Sequence, residues 1–394
     1  MQSFSQSPTD PEFIQNPYPF YDKTRTQGPL FFWREYNMVC ASSLAAVNAL
    51  LRDRRFGREQ PAEFRKPVPP NIQPFMDIEA HSMLELEPPT HTRLRGLVLR
   101  AFTSRRIKEM APEITALCHQ LIDAFPVQPF DLLHHFGEKI PVIIIARLLG
   151  VPEDRSDDLL KWSHAMVAMY QANRSRQTEQ DAVIAATAFA DFIRSYVYTR
   201  RNTPGDDLIT QLIAAKEDGE KLSTDELIST CILLLNAGHE ATVHAIGNGI
   251  KTLLESDLSV ASLLNSGSLG GTIEELLRFD PPLHMFTRYA YEDIALFGYN
   301  FKRGEEIALL LGAANRDPVA YCEPEKFDPT RKLAPHTSFG AGVHFCVGAP
   351  LARLEMSVAL PILFERCPNL RLTGMPNFAD RYHFHGLSGL IVRT

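Results

Sequence analysis

The chain has 394 residues, 45% of them hydrophobic and 22% charged, a balance that excludes a disordered polymer. Forty Lys and Arg against 47 Asp and Glu leave a net charge of −7, which gives no support to nucleic-acid binding. No window approaches the roughly 20 apolar residues of a membrane span, and the polar residues 1–15 lack the charged-then-apolar pattern of a secretion signal. A cytoplasmic protein with no membrane partner is expected.

In chain order, the proline-rich stretches 61–74 and 87–89 predict irregular connections, because Pro removes a backbone donor and fixes φ. Apolar residues then recur at three- and four-residue steps over 91–102, 112–125, 154–172, 178–201 and 206–217, each a predicted helix. The capping box Ser223-Thr-Asp-Glu226 opens a longer one that runs to about residue 254. Gly238 stands in its middle, at a cost of about 1 kcal/mol relative to Ala. Either a helix–helix contact or a flat, bulky group close to the backbone accounts for it. Residues 294–301 and 305–311 flank Lys302-Arg303-Gly304 and predict a hairpin, and 389–392 a last short strand. No internal repeat or shift of composition divides the chain. The expected fold is mainly α with a small β region, in one domain spanning 1–394.

The six cysteines (Cys40, Cys118, Cys231, Cys322, Cys346 and Cys367) include no Cys-x-x-Cys pair, so zinc ribbons and thioredoxin-like redox sites are unsupported and free thiols are expected. Cys346 differs from the rest. It lies in Phe339-Gly-Ala-Gly-Val-His-Phe-Cys-Val-Gly348, followed by a predicted helix that opens near Pro350 and covers 351–364. A cysteine just before a helix start meets free N–H donors and the positive end of the helix dipole, which favour thiolate over thiol. With no second Cys or His at zinc spacing, a metal whose other ligands come from a cofactor fits, and haem iron is such a metal.

The segment Phe339-Gly-x-Gly-x-His-x-Cys-x-Gly348, with Leu351-Ala-Arg353 after it, resembles the haem-binding signature of cytochrome P450 monooxygenases. Glu275-Leu-Leu-Arg278 is similar to the Glu-x-x-Arg of that family's K helix, Phe327-Asp-Pro-x-Arg331 to its meander, and Asn16-Pro-Tyr-Pro-Phe20 to the opening of soluble bacterial members. The resemblance implies the P450 fold and a haem b cofactor. It implies Cys346 as the metal ligand, with Ala237, Phe339 and Gly340 against the cofactor and His91, Arg95, Arg288 and His336 at the propionates. Ala237-Gly-His-Glu-Ala-Thr242 resembles the oxygen-activation motif, which implies catalytic roles for Gly238, Glu240 and Thr242. The motif departs from the usual pattern at Ala241, where most relatives carry threonine. One step along a helix turns a side chain by about 100°, so Thr242 does not simply replace it.

The activity that the resemblance implies is insertion of one oxygen atom of O2 into a small, largely apolar organic substrate. Electrons would come from a ferredoxin-type or flavodoxin-type donor with its reductase. That partner is expected to dock by basic residues of the cysteine side: Arg95, Arg100, Arg105, Arg106, Lys108 and Arg353. Peroxide-driven or specialised oxidation, and a non-catalytic haem sensor, are the alternatives. Leu233, Asn236, Ala237, His284, Phe286 and Leu387 are the expected substrate contacts, with loops 74–83, 166–170 and 384–387 completing the pocket.

Overall fold

The computed structural model describes residues 1–171, 174–216, 219–332 and 335–394. Its axis is the helix Thr224–Glu255, 32 residues long, opened by the predicted capping box: Ser223 Oγ accepts from the N–H of Glu226 (3.1 Å) and Glu226 Oε2 from that of Ser223 (2.8 Å). At about 1.5 Å per residue it is a rod of about 48 Å. Because its side chains are buried on nearly every face, other helices must surround it. Ser156–Val167, Arg176–Asn202, Lys139–Leu149 and Leu269–Phe279 pack directly on it, and Ala349–Arg366 lies between it and Ala111–Asp123. Most of the apolar core belongs to this helical body.

The predicted helices are present with shifted ends: Thr90–Ala101, Ala111–Asp123, Ser156–Val167, Arg176–Asn202 and Leu208–Ala214. The expected termini at Ala172 and Glu217 lie outside the described residues. The proline-rich stretch 61–74 does contain irregular chain, punctuated by single 3-10 turns at Ala62–Phe64 and Pro70–Ile72.

The hairpin expectation needs correction. Ile294–Leu296 pairs with Tyr299–Phe301, and their turn is Phe297-Gly298, both at positive φ (50° and 74°). Two left-handed residues match the twist of a tight hairpin. Beyond Gly304 the chain leaves this pair. Glu306–Leu310 instead enters a six-stranded mixed sheet, between Met38–Ala41 (parallel) and Met285–Ala290 (antiparallel). Its run of Ile307, Ala308, Leu309 and Leu310 is fully buried, so it lacks the alternation that identifies a half-exposed strand. The last strand, Ile391–Arg393, pairs with Arg371–Leu372 and Phe130–Asp131.

Between helices and sheet lies a buried ion pair. Arg278 Nε and Nη2 donate to the two oxygens of Glu275, both at 2.7 Å. The same guanidinium donates to the carbonyls of Asn315 and Pro324 (2.9 Å each) and Lys326 (3.2 Å). Glu275 also accepts from the N–H of Asp328 and from Arg331. Removing one partner of a buried pair strands the other charge at a cost of about 3–5 kcal/mol. Arg278→Ala and Glu275→Ala are each expected to lower stability by that order, read as the shift in denaturant midpoint. A midpoint that moved as little as a surface substitution would show that the network carries no such weight.

Candidate active site

The cysteine loop is shaped by its glycines. Gly340 and Gly342 lie at φ +66° and +71°, a region side chains rarely adopt. The turns they allow bring the N–H of Cys346 to the carbonyl of Phe339 (3.0 Å). Upstream, Asn315 Oδ1 accepts from the N–H and hydroxyl of Thr337 (2.7 and 2.8 Å), while Ser338 Oγ donates to the carbonyl of Leu277 (2.7 Å). Both loop anchors therefore stem from the Glu275–Arg278 network. The helix Ala349–Arg366 begins just after the cysteine, with Pro350 in its first turn.

Burial pushes the Cys346 thiol above its ordinary range; the N–H groups of Gly348 and Ala349, then Arg95 and Arg353, pull the other way. The helix start thus favours the thiolate as the sequence implies, but burial outweighs it. A firm thiolate here needs a cation bound directly to sulfur, since a coordinated thiol loses its proton outright.

Around this loop several polar groups lack partners. His91 is buried with Nδ1 unbonded, its ring 4.3 Å from that of His344. Burial, then the proximity of His344 and Arg95, pushes it down to about 4. Among the described residues Arg95 has no carboxylate partner; burial lowers it and Cys346 is the charge acting on it. Arg288 is buried, bonds among the described residues only to the carbonyl of Thr287 (2.8 Å), and is pushed down to about 10 by burial and then by Arg58. A neutral donor and two guanidinium groups without a carboxylate, beside a cysteine, fit an anionic cofactor that binds through sulfur and carboxylates.

His336 does not join them. Its Nε2 bonds Glu274 (3.0 Å) and its Nδ1 accepts from the N–H of Ser338, so both ring nitrogens are used. Arg353 donates twice to the same Glu274 and stacks over Phe339 at 4.4 Å. His336 is therefore part of a clamp between helix Leu269–Phe279 and the cysteine helix. The residue that sequence reasoning passed over is His344, the signature histidine two places before Cys346. It bonds Glu87 (2.9 Å), and its ring lies tilted against that of His91.

On the long helix, Leu233, Ala237 and Ala241 form a stripe of i, i+4, i+8 spacing, half-buried except for the exposed Ala237, with the half-buried Gly238 beside it, on a helix otherwise mostly buried. A Cβ at Gly238 would meet no atom within 4 Å, so no helix contact explains this glycine. Room for a flat group does. Thr242 lies off that stripe and is buried. Glu240 is buried among three histidines, with His164 Nε2 at 3.2 Å, His244 Nε2 at 3.6 Å and His239 Nδ1 at 4.0 Å. His244 lowers the Glu240 carboxyl against the opposing effect of burial. Burial keeps His239 neutral, pushed down to about 3.

The expected substrate contacts separate into two groups. Leu233 and Ala237 belong to the stripe, and the amide of Asn236 faces Met166 Sδ at 3.7 Å while its Oδ1 is unbonded. Leu387 packs near the long helix beside Gly247, and Phe286 lies under Arg58. A cleft brings Tyr170 and Phe384 together from two of the expected loops. His284 departs from expectation. It is fully buried in the aromatic cluster under the sheet, with Nδ1 bonded to the Tyr21 hydroxyl (2.9 Å) and its ring 4.4 Å from His385. Gly312 leaves space for it there, so it is a core histidine rather than a pocket one.

Residues 268–377 match the family model described as Cytochrome P450. The chain is 34% identical over 387 residues to the biotin biosynthesis cytochrome P450 of Bacillus subtilis (strain 168), covering 96% of this chain and 95% of that one. It is 35% identical to the cytochrome P450 monooxygenase PikC of Streptomyces venezuelae, covering 97% and 92%. The crystal structure of P450BioI in complex with hexadec-9Z-enoic acid ligated acyl carrier protein superposes with a TM-score of 0.91 at 34% identity, covering 97% of this chain and 99% of the other. The chain belongs to the cytochrome P450 family. It is a haem-thiolate monooxygenase that receives its electrons from a redox partner.

The loop geometry singles out one thiol. Reduced protein under carbon monoxide is expected to show the red-shifted Soret band of thiolate-ligated haem, and Cys346→Ala to lose it. Cys367→Ala, altering a buried thiol just past the end of the same helix, should keep it. Survival of the band in Cys346→Ala would assign the ligand elsewhere.

Proposed function

We propose that Cys346 Sγ ligates the iron of a haem b whose propionates are received by His91, Arg95, Arg288 and His344, with chain 1–394 acting as one unit in the cytoplasm. The observation that carries this is the set of cations without a carboxylate and the unbonded His91 nitrogen around one cysteine. When bound, the haem supplies the redox-active iron at which O2 is activated, with electron density from the thiolate. Phe339 and Gly340 shape the loop on one side of it, and Ala237 and Gly238 leave room for it on the other. The substrate is a small, largely apolar molecule held by Leu233, Asn236, Phe286 and Leu387. The unbonded Oδ1 of Asn236 is its polar anchor.

Protons reach this pocket through Glu240. His164 Nε2 stands 3.2 Å from Glu240 Oε1 and is 39% exposed, so it can take a proton from solvent and pass it inward to the carboxylate. Beyond Glu240 the chain offers no hydroxyl on the stripe, because Ala241 occupies that position and Thr242 is buried away from it. Ordered water, or a polar group on the substrate, completes the route at little cost relative to a direct donor.

The test is coupling: product formed per NADPH with a tightly bound substrate. Good coupling in the natural sequence, little loss in Thr242→Ala and little gain in Ala241→Thr are expected. A several-fold gain in Ala241→Thr would instead identify a leaky enzyme. Efficient turnover with hydrogen peroxide and none with NADPH would favour the peroxide-driven reading that Ala241 makes available.

The electron donor is a ferredoxin-type or flavodoxin-type protein that docks on the cysteine side. Helix Ser104–Glu109, which packs on the cysteine helix, presents Lys108 and Arg105, the latter 88% exposed and paired among the described residues only with the likewise solvated Glu109 (2.9 Å), and the apolar Val343 and Phe345 are exposed beside Cys346. Arg353 is held by Glu274 and drops out of this surface. Docking through such charges weakens as the screening length falls from about 10 Å at 0.1 M salt to about 3 Å at 1 M. Electron-transfer rates are expected to fall several-fold over that range and in Arg105→Glu; rates indifferent to both would refute this surface.

A further inference from the structure

The histidines around Glu240 exceed what a proton route needs. One imidazole between solvent and the carboxylate suffices, yet His239 is fully buried beside it with both ring nitrogens unbonded, and Glu240 Oε1 has no hydrogen-bond partner among the described residues. Buried polar atoms left without partners destabilise a fold, the more so where charge is buried. Donor atoms of His164, His239 and Glu240 all lie within 4.8 Å of one another. The Oε1 of Glu240 is 3.2 Å from His164 Nε2 and 4.0 Å from His239 Nδ1. Tetrahedral zinc, with bonds of about 2.0–2.1 Å, sets neighbouring donors about 3.3 Å apart.

We propose that His164, His239 and Glu240 form a binding site for a divalent transition-metal ion of the zinc class. Two imidazoles and a carboxylate are a donor set that zinc accepts, with water in the fourth position. The other carboxylate oxygen, Oε2, faces His244 Nε2 at 3.6 Å, which leaves Oε1 as the oxygen turned toward His164 and His239. The half-exposed His164 supplies the entry path. The buried set Asp280, His284 and His385 is less suited: His284 already bonds Tyr21 and Asp280 bonds Tyr18.

The ion would join helix Ser156–Val167 to the long helix Thr224–Glu255 and occupy the carboxylate oxygen nearest His164. Zinc would therefore act as a reversible inhibitor that closes the proton route. That consequence rests on the role proposed for Glu240; the binding site itself does not.

The test uses the chelator-stripped holoenzyme, equilibrium dialysis against zinc chloride, and metal analysis of the protein. About one zinc per chain is expected. Loss of at least about tenfold in affinity is expected in His164→Ala, His239→Ala and Glu240→Gln, with no change in His134→Ala, an exposed histidine on another element. His164 is partly exposed, so its variant tests the site even if His239→Ala fails to fold. Zinc-edge X-ray absorption should show a shell of nitrogen and oxygen only, and zinc should raise the thermal midpoint of the natural protein but not of His164→Ala. Unchanged zinc affinity in His164→Ala, or a sulfur neighbour in the absorption spectrum, would overturn the proposal. If zinc binds as described but turnover is unaffected, the site stands and the proton role of Glu240 falls.

Discussion

The pairing of Glu275 with Arg278 ties the helical body to the segment that leads into the cysteine loop. A guanidinium in a dry interior must place all its N–H groups, and here it places them on one carboxylate and three backbone carbonyls of the segment 315–326. Backbone carbonyls held by a buried cation cannot drift without stranding charge. Asn315, fixed in this way, holds Thr337 and Ser338 through its side chain, and those two residues deliver the chain to Phe339. The position of Cys346 is thus set by polar bonds that reach it from two other elements. The glycines only make the path possible.

The basic residues near the cysteine sort themselves by whether their charge is spent. Arg278, Arg331 and Arg353 are committed to Glu275 and Glu274. Arg95 and Arg288 are semi-buried or buried without such commitment, a state that favours binding of an anion over stability of the bare fold. The net charge of −7 conceals this local excess. Charge placement, and not charge balance, identifies the site.

The sequence made the helices legible because their apolar steps are long and regular, and because Ser223 and Glu226 announce the central one. It made Cys346 legible because simple core packing does not require glycines and a helix start around a cysteine. It misled where several segments converge. Glu306–Leu310 showed no alternating pattern, since neighbours cover both its faces. His284 and His336 resembled ligand-facing residues, but their partners, Tyr21 and Glu274, lie 263 and 62 residues away in the chain. His164 carried no local signal at all: only the packing of two helices brings it to Glu240. Pairings between distant segments are what one sequence leaves unstated.

The cysteine loop also touches the part of the chain that precedes it by nearly three hundred residues. A Cβ at Gly342 would collide with the carbonyl of Leu51, at the end of helix Leu44–Arg52. The loop therefore rests on main chain, and any residue that keeps the helix can supply that surface. The contact itself is indifferent to which side chains stand at 51 and 52, although Leu51 is held separately by its burial in the core, whereas drift at 342 should be forbidden. An evolutionary constraint that falls wholly on one side of a contact leaves no paired substitutions behind it. Methods that infer proximity from correlated change would be blind to this junction, although the path of the cysteine loop depends on it.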